Sequence, residues 1–196
     1  MSHINPEQLS NNAKQLFKLM EFDENEVLIC EIRKHGFGLF VIYFIGTIVT
    51  FALLAATIAL TALSKGDPLG VGIETSKTQP IIVLVGGLLV VLTATMTAIA
   101  AYLYTRDVVL VTSEKISQFL HRTIFDRKIS QLSIGDVQDV TVSQIGLFAR
   151  LFNYGTMVIE TAGEQQNYTF IYTPLPYDRA KDIVFSHEEN LKRFGN

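Results

Sequence analysis

The chain of 196 residues is long enough for one or two domains. Its charged residues make up only 18%, where a soluble domain carries about 25%, and residues 36–63 and 78–105 contain no Asp, Glu, Lys or Arg; a simple soluble globule and a disordered chain are both excluded. A net charge of −3 and a pI near 5.8 argue against nucleic acid as a partner, because neutralising phosphate needs a basic face, and the single cysteine, Cys30, excludes an intrachain disulfide framework and a multi-cysteine zinc site.

At the amino end, Asn5-Pro6 reads as a helix start, with Asn5 as the cap and Gln8 completing a capping box. Leu9, Ala13, Leu16, Phe17 and Met20 then recur at helical spacing. Two readings of this amphipathic helix stay open. It packs on the chain's own domain, or it meets lipid or a partner, with only Lys14 and Lys18 as basic attraction. Glu21–Glu26 is an acidic turn, and Val27–Ile32 is an extended entry to the first apolar run. Arg33, Lys34 and His35 stand where headgroup anchors stand. Cys30 reads as a passive, partly buried thiol; palmitoylation beside a membrane is the other use of a cysteine here.

Residues 36–63 and 80–105 are each long enough to cross a hydrocarbon core of about 30 Å, which takes about 20 apolar residues. From Phe37 to Leu63 the first holds 15 Leu, Ile, Val or Phe, a gross insertion gain of about 5–9 kcal/mol at roughly 0.3–0.6 kcal/mol each. It begins after 35 residues and is longer than a signal core, so a cleaved leader is not expected. The link 64–79 forces a hairpin 36–105. Lys18, Arg33, Lys34, Arg106, Lys115 and Arg122 flank the outer ends of the hairpin, against Lys65 and Lys77 in the link. Both termini are therefore expected in the cytoplasm, with Arg106 anchoring the second helix. Antiparallel pairing brings Gly86 and Gly87 near Ala55 and Ala56, and Thr93–Ala101 near Gly46 and Thr47. Small residues at these levels allow close backbone approach, so leucine at Ala55 and Ala56 is expected to weaken the hairpin. The absence of ionisable residues within both runs argues against a transporter or channel built from this chain alone.

Beyond Arg106 the pattern turns from continuous to alternating. Strands are expected at Val108–Thr112, Ile116–Leu120, Phe125–Leu132 and Val137–Val142, then around Met157 and Ile159, and at Tyr168, Phe170 and Tyr172. Turns fall at Ser113–Lys115 and Ala162–Glu164. After Pro174 and Pro176 the period switches. Ala180, Ile183, Val184, His187, Leu191 and Phe194 form one helical stripe that stops at Gly195. The expected fold is a membrane helical hairpin plus a β-rich domain over 106–196, an antiparallel sheet or open barrel capped by a C-terminal helix.

Several residues carry a likeness: Val111-Thr112, the run Ile134–Val140, Gln144, Gly146–Phe152, Tyr154-Gly155, Ile159–Thr161 and Ala162-Gly163. Over roughly residues 22–185 the sequence resembles the bacterial pleckstrin-homology-like (PH-like) domain family of small membrane proteins. That resemblance implies a PH-like domain placed just after a pair of membrane helices, with Glu26–His35 part of the shared pattern. Asn153 departs from it, since glycine often precedes the Tyr-Gly pair. Gly146 and Gly155 suit tight backbone geometry around a short helical turn. Leu147 and Leu151 are expected to plug the sheet. Phe148 and Phe152 are open between core and a partner or lipid contact, and Arg150 between a solvated or paired residue and a ligand contact.

No catalytic constellation, metal-ligand spacing or cofactor motif stands out: His3, His35, His121 and His187 are widely separated, and Gly86-Gly87 lies inside an apolar run. An enzyme is not expected. In phosphoinositide-binding relatives the basic loop joins the first two strands; the corresponding turn here reads as Ser113–Lys115, with Lys115 beside Glu114, so tight phosphoinositide binding is not expected. Arg122, Arg127 and Lys128 form a modest basic group, read as surface ion pairs or as a weak anionic-lipid contact. The leading expectation is a PH-like interaction module anchored at the inner face of a prokaryotic cytoplasmic membrane, docking a protein partner or forming a homo-oligomer. The alternatives are an anionic-lipid sensor and an accessory subunit of a transport or secretion complex.

Overall fold

The computed structural model describes residues 9–20, 26–64, 75–161 and 167–194. Two compact units emerge: Leu39–Tyr102, and a second unit assembled from residues up to Gly38 and from Leu103 onward. The expected cap at Asn5, the turn at Ala162–Glu164, Gly195 and most of the 64–79 link lie outside the described residues.

The first unit is made of two apolar helices, α2 (Gly36–Ser64) and α3 (Thr75–Arg106). Each contains an 18-residue window of mean hydropathy 2.4, and large side chains such as Phe51, Ile58, Leu84 and Leu88 are exposed along them. An alanine methyl at Gly46 would overlap the Thr97 side chain, and one at Gly86 would overlap Thr57. The helices therefore touch at two levels through glycine–threonine pairs. Gly87 faces open space, and Ala55 and Ala56 are exposed. The expected Ala55/Ala56 contact is thus corrected to Thr57, because the pairing is offset by two residues from the symmetric alignment.

In the second unit, α1 (Asn11–Leu19) is capped by Ser10, whose Oγ accepts from Ala13 N–H at 3.2 Å. Leu9, Ala13, Leu16 and Met20 pack on Leu28, Val108, Leu110 and Phe119, so the helix packs on its own domain. Strand β1 (Leu28–Arg33) pairs with β2 (Val108–Thr112), which pairs with β3 (Lys115–His121) and then β4 (Arg127–Ser133) in an antiparallel sheet. All five residues of β2 are buried. Val108 and Leu110 face α1, while Val109 and Val111 face the main core. A strand covered on both faces needs a continuous apolar run, which Val108–Val111 supplies. One 3-10 turn at Ile134–Asp136 leads into the second sheet, β5 (Val137–Ser143), β6 (Tyr154–Thr161) and β7 (Tyr168–Pro174), paired in that order. A short helix α4 (Leu147–Leu151) joins β5 to β6, and α5 (Pro176–Phe194) closes the chain. The core between the sheets gathers Cys30, Ile32, Ile116, Met157, Ile159 and Phe170, among others, with Ile183 of α5.

Two expectations about connection and seating change. The turn Ser113–Lys115 joins the second and third strands, and the connection between the first and second is α2 and α3 themselves. On α5 the buried positions are Pro176, Ile183 and Ser186, with Val184 and Phe185 exposed. His187 Nδ1 lies 2.7 Å from Ile134 O, and Asn190 donates to Ser113 O at 3.2 Å. These polar contacts rotate the stripe away from Val184.

Candidate functional site

Both apolar helices join the sheets at the same end of the second unit. Arg33, the last residue of β1, pairs with Val108, the first of β2. His35 then organises the start of α2. Its ring Nδ1 accepts from Phe37 N–H at 3.1 Å, and its carbonyl accepts from Gly38 N–H at 3.1 Å and from the Tyr104 hydroxyl at 2.7 Å. Its own N–H donates to Tyr172 O at 2.6 Å. Gly38 is required here, because a side chain would collide with the Tyr104 phenol. Tyr172 is held at φ 55, a costly conformation for an aromatic residue.

Around this joint the rings form a collar. Phe37 stacks on Phe148, Phe152 and Tyr154 at centroid distances of 5.6, 5.4 and 4.9 Å. Tyr154 also meets His35 at 5.3 Å and Tyr172 at 5.4 Å, and Tyr104 meets Tyr172 edge-on at 6.0 Å. Offset and edge-on ring pairs at such distances are mutually attractive. Beside the collar, Lys34 Nζ lies 2.6 Å from Asp107 Oδ2 and 5.1 Å over the Tyr104 ring. The other carboxylate oxygen of Asp107 accepts from His121 N–H at 2.8 Å. A cavity of about 220 Å³ opens nearby, walled by Ile32, Val109, Phe119 and Phe170, with Arg33, Lys34 and Asp107 also lining it.

The short helix behaves differently from expectation. Ala149 is its buried residue, at 3% exposure, while Leu147 and Leu151 are 76% and 69% exposed. Leu147 and Leu151 each lie two positions from Ala149, about 200° around a helix, so one face cannot hold all three. The backbone fixes which face turns inward. Gly146 enters at φ 97 and Asn153 leaves at φ 51. At Asn153, asparagine is the most tolerant residue of the left-handed region after glycine. Phe148 and Phe152 resolve to neither pure core nor free surface: they are about half exposed and packed on Phe37. Arg150 is exposed.

Among the four residues expected as anchors, Arg33 is exposed and lies 3.5 Å from Glu31. Lys34 is paired with Asp107, His35 caps α2, and Arg106 donates to Asn12 Oδ1 at 2.7 Å. Arg122 on the β3–β4 turn and Arg127 and Lys128 at the start of β4 are exposed, flanking Ile124 and a 97%-exposed Phe125. The backbone of that turn is pinned by Asp126 N–H donating to Thr123 Oγ1 at 2.9 Å. Sequence reasoning missed Phe37, Tyr104, Tyr154, Tyr172 and Asp107. The available signal was aromatic residues at the ends of apolar runs.

The model of the family described as "Bacterial PH domain" matches residues 38–183. The chain belongs to the bacterial PH domain family. PH domains are in general non-catalytic modules that mediate protein or lipid interactions, and the four-stranded sheet, three-stranded sheet and C-terminal helix give this one its PH-like fold. No curated protein matches the sequence. A solved structure similar in part is a DUF1696 family protein with a pleckstrin-homology domain from Shewanella loihica. It is 10% identical, with 42% of this chain and 71% of that chain covered and a TM-score of 0.35. So slight a likeness carries no functional weight.

Proposed function

We propose that this bacterial PH protein is a membrane-anchored interaction module. In this reading α2 and α3 cross the cytoplasmic membrane as a hairpin, the link 64–79 faces outward and both termini lie inside. Residues 1–35 and 106–196 stand at the inner face, where the domain docks a protein partner or further copies of itself. One observation carries the reading: the strands on either side of the two apolar helices pair with each other, Arg33 opposite Val108, so the helices are an insertion within the sheet. A module built this way stays with its anchor, and tethering raises local concentration so that weak contacts suffice. Cross-linking in native membranes followed by purification in mild detergent is expected to return a stoichiometric partner or a homo-oligomer. Recovery of a monomer alone overturns the docking part, and release of the chain by alkaline carbonate overturns the anchoring part.

A second reading, anionic-lipid sensing, is favoured by the exposed Phe125 between Arg122, Arg127 and Lys128. Its test needs the whole chain, since β1 and α1 precede the helices and belong to the domain. Anionic lipid enriched around the protein in mixed-lipid nanodiscs, and lost with Arg127→Glu, supports it; no enrichment discards it.

A further inference from the structure

The segment Ile145–Phe152 is more apolar than a solvent-facing loop needs to be. Ile145 is 87% exposed, and Leu147 and Leu151 are nearly as open. No Asp or Glu occurs between Val140 and Ile159, and Arg150 is the one charge in that stretch. The position of this face identifies its cover. Phe148 and Phe152, on the same short helix, stack on Phe37, the second residue of α2. If α2 enters the bilayer at that point, as the anchoring reading requires, α4 lies at the depth of Phe37. That depth is the headgroup layer, where aromatic rings and arginine gather. The patch is thus continuous with an anchor already directed at lipid, and its composition matches the layer it reaches: apolar side chains, aromatic rings and a single cation able to meet phosphate.

We infer that Ile145–Phe152 rests in the interfacial layer of the membrane that α2 enters, with Ile145, Leu147 and Leu151 toward the acyl chains and Arg150 toward phosphate. This inference rests on the anchoring reading and adds a third point of attachment besides the two helices. The attachment fixes how the domain is tilted, and so which surfaces remain free for a partner.

The test uses the full-length protein in vesicles of phosphatidylethanolamine and phosphatidylglycerol. An environment-sensitive fluorophore is attached at Leu147→Cys or, separately, Leu151→Cys; both side chains point away from the core, so neither change threatens folding. Leu88→Cys within α3 and the exposed Glu160→Cys on β6 serve as references, with the wild-type chain as blank because Cys30 is buried. The probes at 147 and 151 are expected to lose at least half their emission to a lipid carrying a shallow spin label, and to be protected from aqueous iodide relative to Glu160→Cys. Iodide quenching equal to that of Glu160→Cys overturns the inference. Quenching by neither agent also overturns it, since a protein surface then covers the helix. If iodide quenches the Leu88 probe as fully as the Glu160 probe, the anchoring reading itself fails; if it quenches only the 147 and 151 probes that fully, anchoring stands and this inference alone falls.

Discussion

Gly86 and Gly87 are neighbours in sequence but opposite in environment, and replacing each by alanine separates packing from propensity. At position 86 the new methyl would stand 2.9 Å from the Cβ of Thr57, and at Gly46 the matching distance to Thr97 Cβ is 3.0 Å. Carbon atoms rest at about 3.5–4.0 Å. A Cβ moves only with its backbone, so turning the threonine side chain gives no relief. Both threonines are also tied down, Thr57 donating to Leu53 O at 2.8 Å and Thr97 to Thr93 O at 2.9 Å. The helices must part locally, at an overpacking cost of about 1–3 kcal/mol. At position 87 nothing lies within 4 Å, and only the helix-propensity gain of about 1 kcal/mol remains. Since that gain is common to both sites, the two variants should differ by the clash, roughly five- to a hundredfold in the unfolding equilibrium. SDS-induced unfolding of the full chain in mild detergent, followed by helical circular dichroism, reads that difference. Equal stabilities for Gly86→Ala and Gly87→Ala, or a more stable Gly86→Ala, would refute the glycine–threonine contact.

Three further outcomes are expected in the domain. Asp107→Ala removes the partner of Lys34 and the acceptor for His121 N–H. Because Lys34 keeps 21% exposure, the loss should fall at the lower end of that for a broken buried pair, about 3 kcal/mol. Asp107→Asn, which keeps the acceptor, should lose less in the same unfolding assay. Burial pushes the Cys30 thiol from 9.0 up to about 12. Below pH 9 both folded and unfolded chains hold the proton. Above it only the unfolded chain releases it, so this group's contribution to stability is lost between pH 9 and 12. Iodoacetamide at about pH 8 should label Cys30 only after denaturation, and fast labelling of native protein would contradict its burial. Gly155→Ala places a methyl 2.7 Å from the Ser143 carbonyl oxygen. Backbone on a paired strand yields little, so a loss of about 1–3 kcal/mol in thermal or denaturant unfolding is expected; a neutral result would mean that β5 and β6 lie farther apart.

The sequence by itself determined the elements that periodicity encodes. Charge-free runs delimit α2 and α3, the apolar run Val108–Val111 marks β2, alternation marks the later strands, and the switch after Pro174 marks α5, because each of these patterns is local to a few turns or residues. It also carried the family, through a block of residues around Gly146 and Tyr154. Only the tertiary structure decided what meets across long separations. Ile32 and Val109 pair although 77 positions apart, with the whole helical hairpin between them, and nothing local in either strand names its partner. The facing of short or half-polar helices was likewise undecided. In α4 the left-handed residues at Gly146 and Asn153 and the tight approach at Gly155 turned alanine inward and both leucines outward, against their hydrophobicity. The collar was invisible for the same reason: Phe37, Tyr104, Tyr154 and Tyr172 come from four elements, with Tyr154 and Tyr172 on the second sheet, and Phe37 and Tyr104 are brought side by side only when the chain returns from α3 to pair β2 with β1.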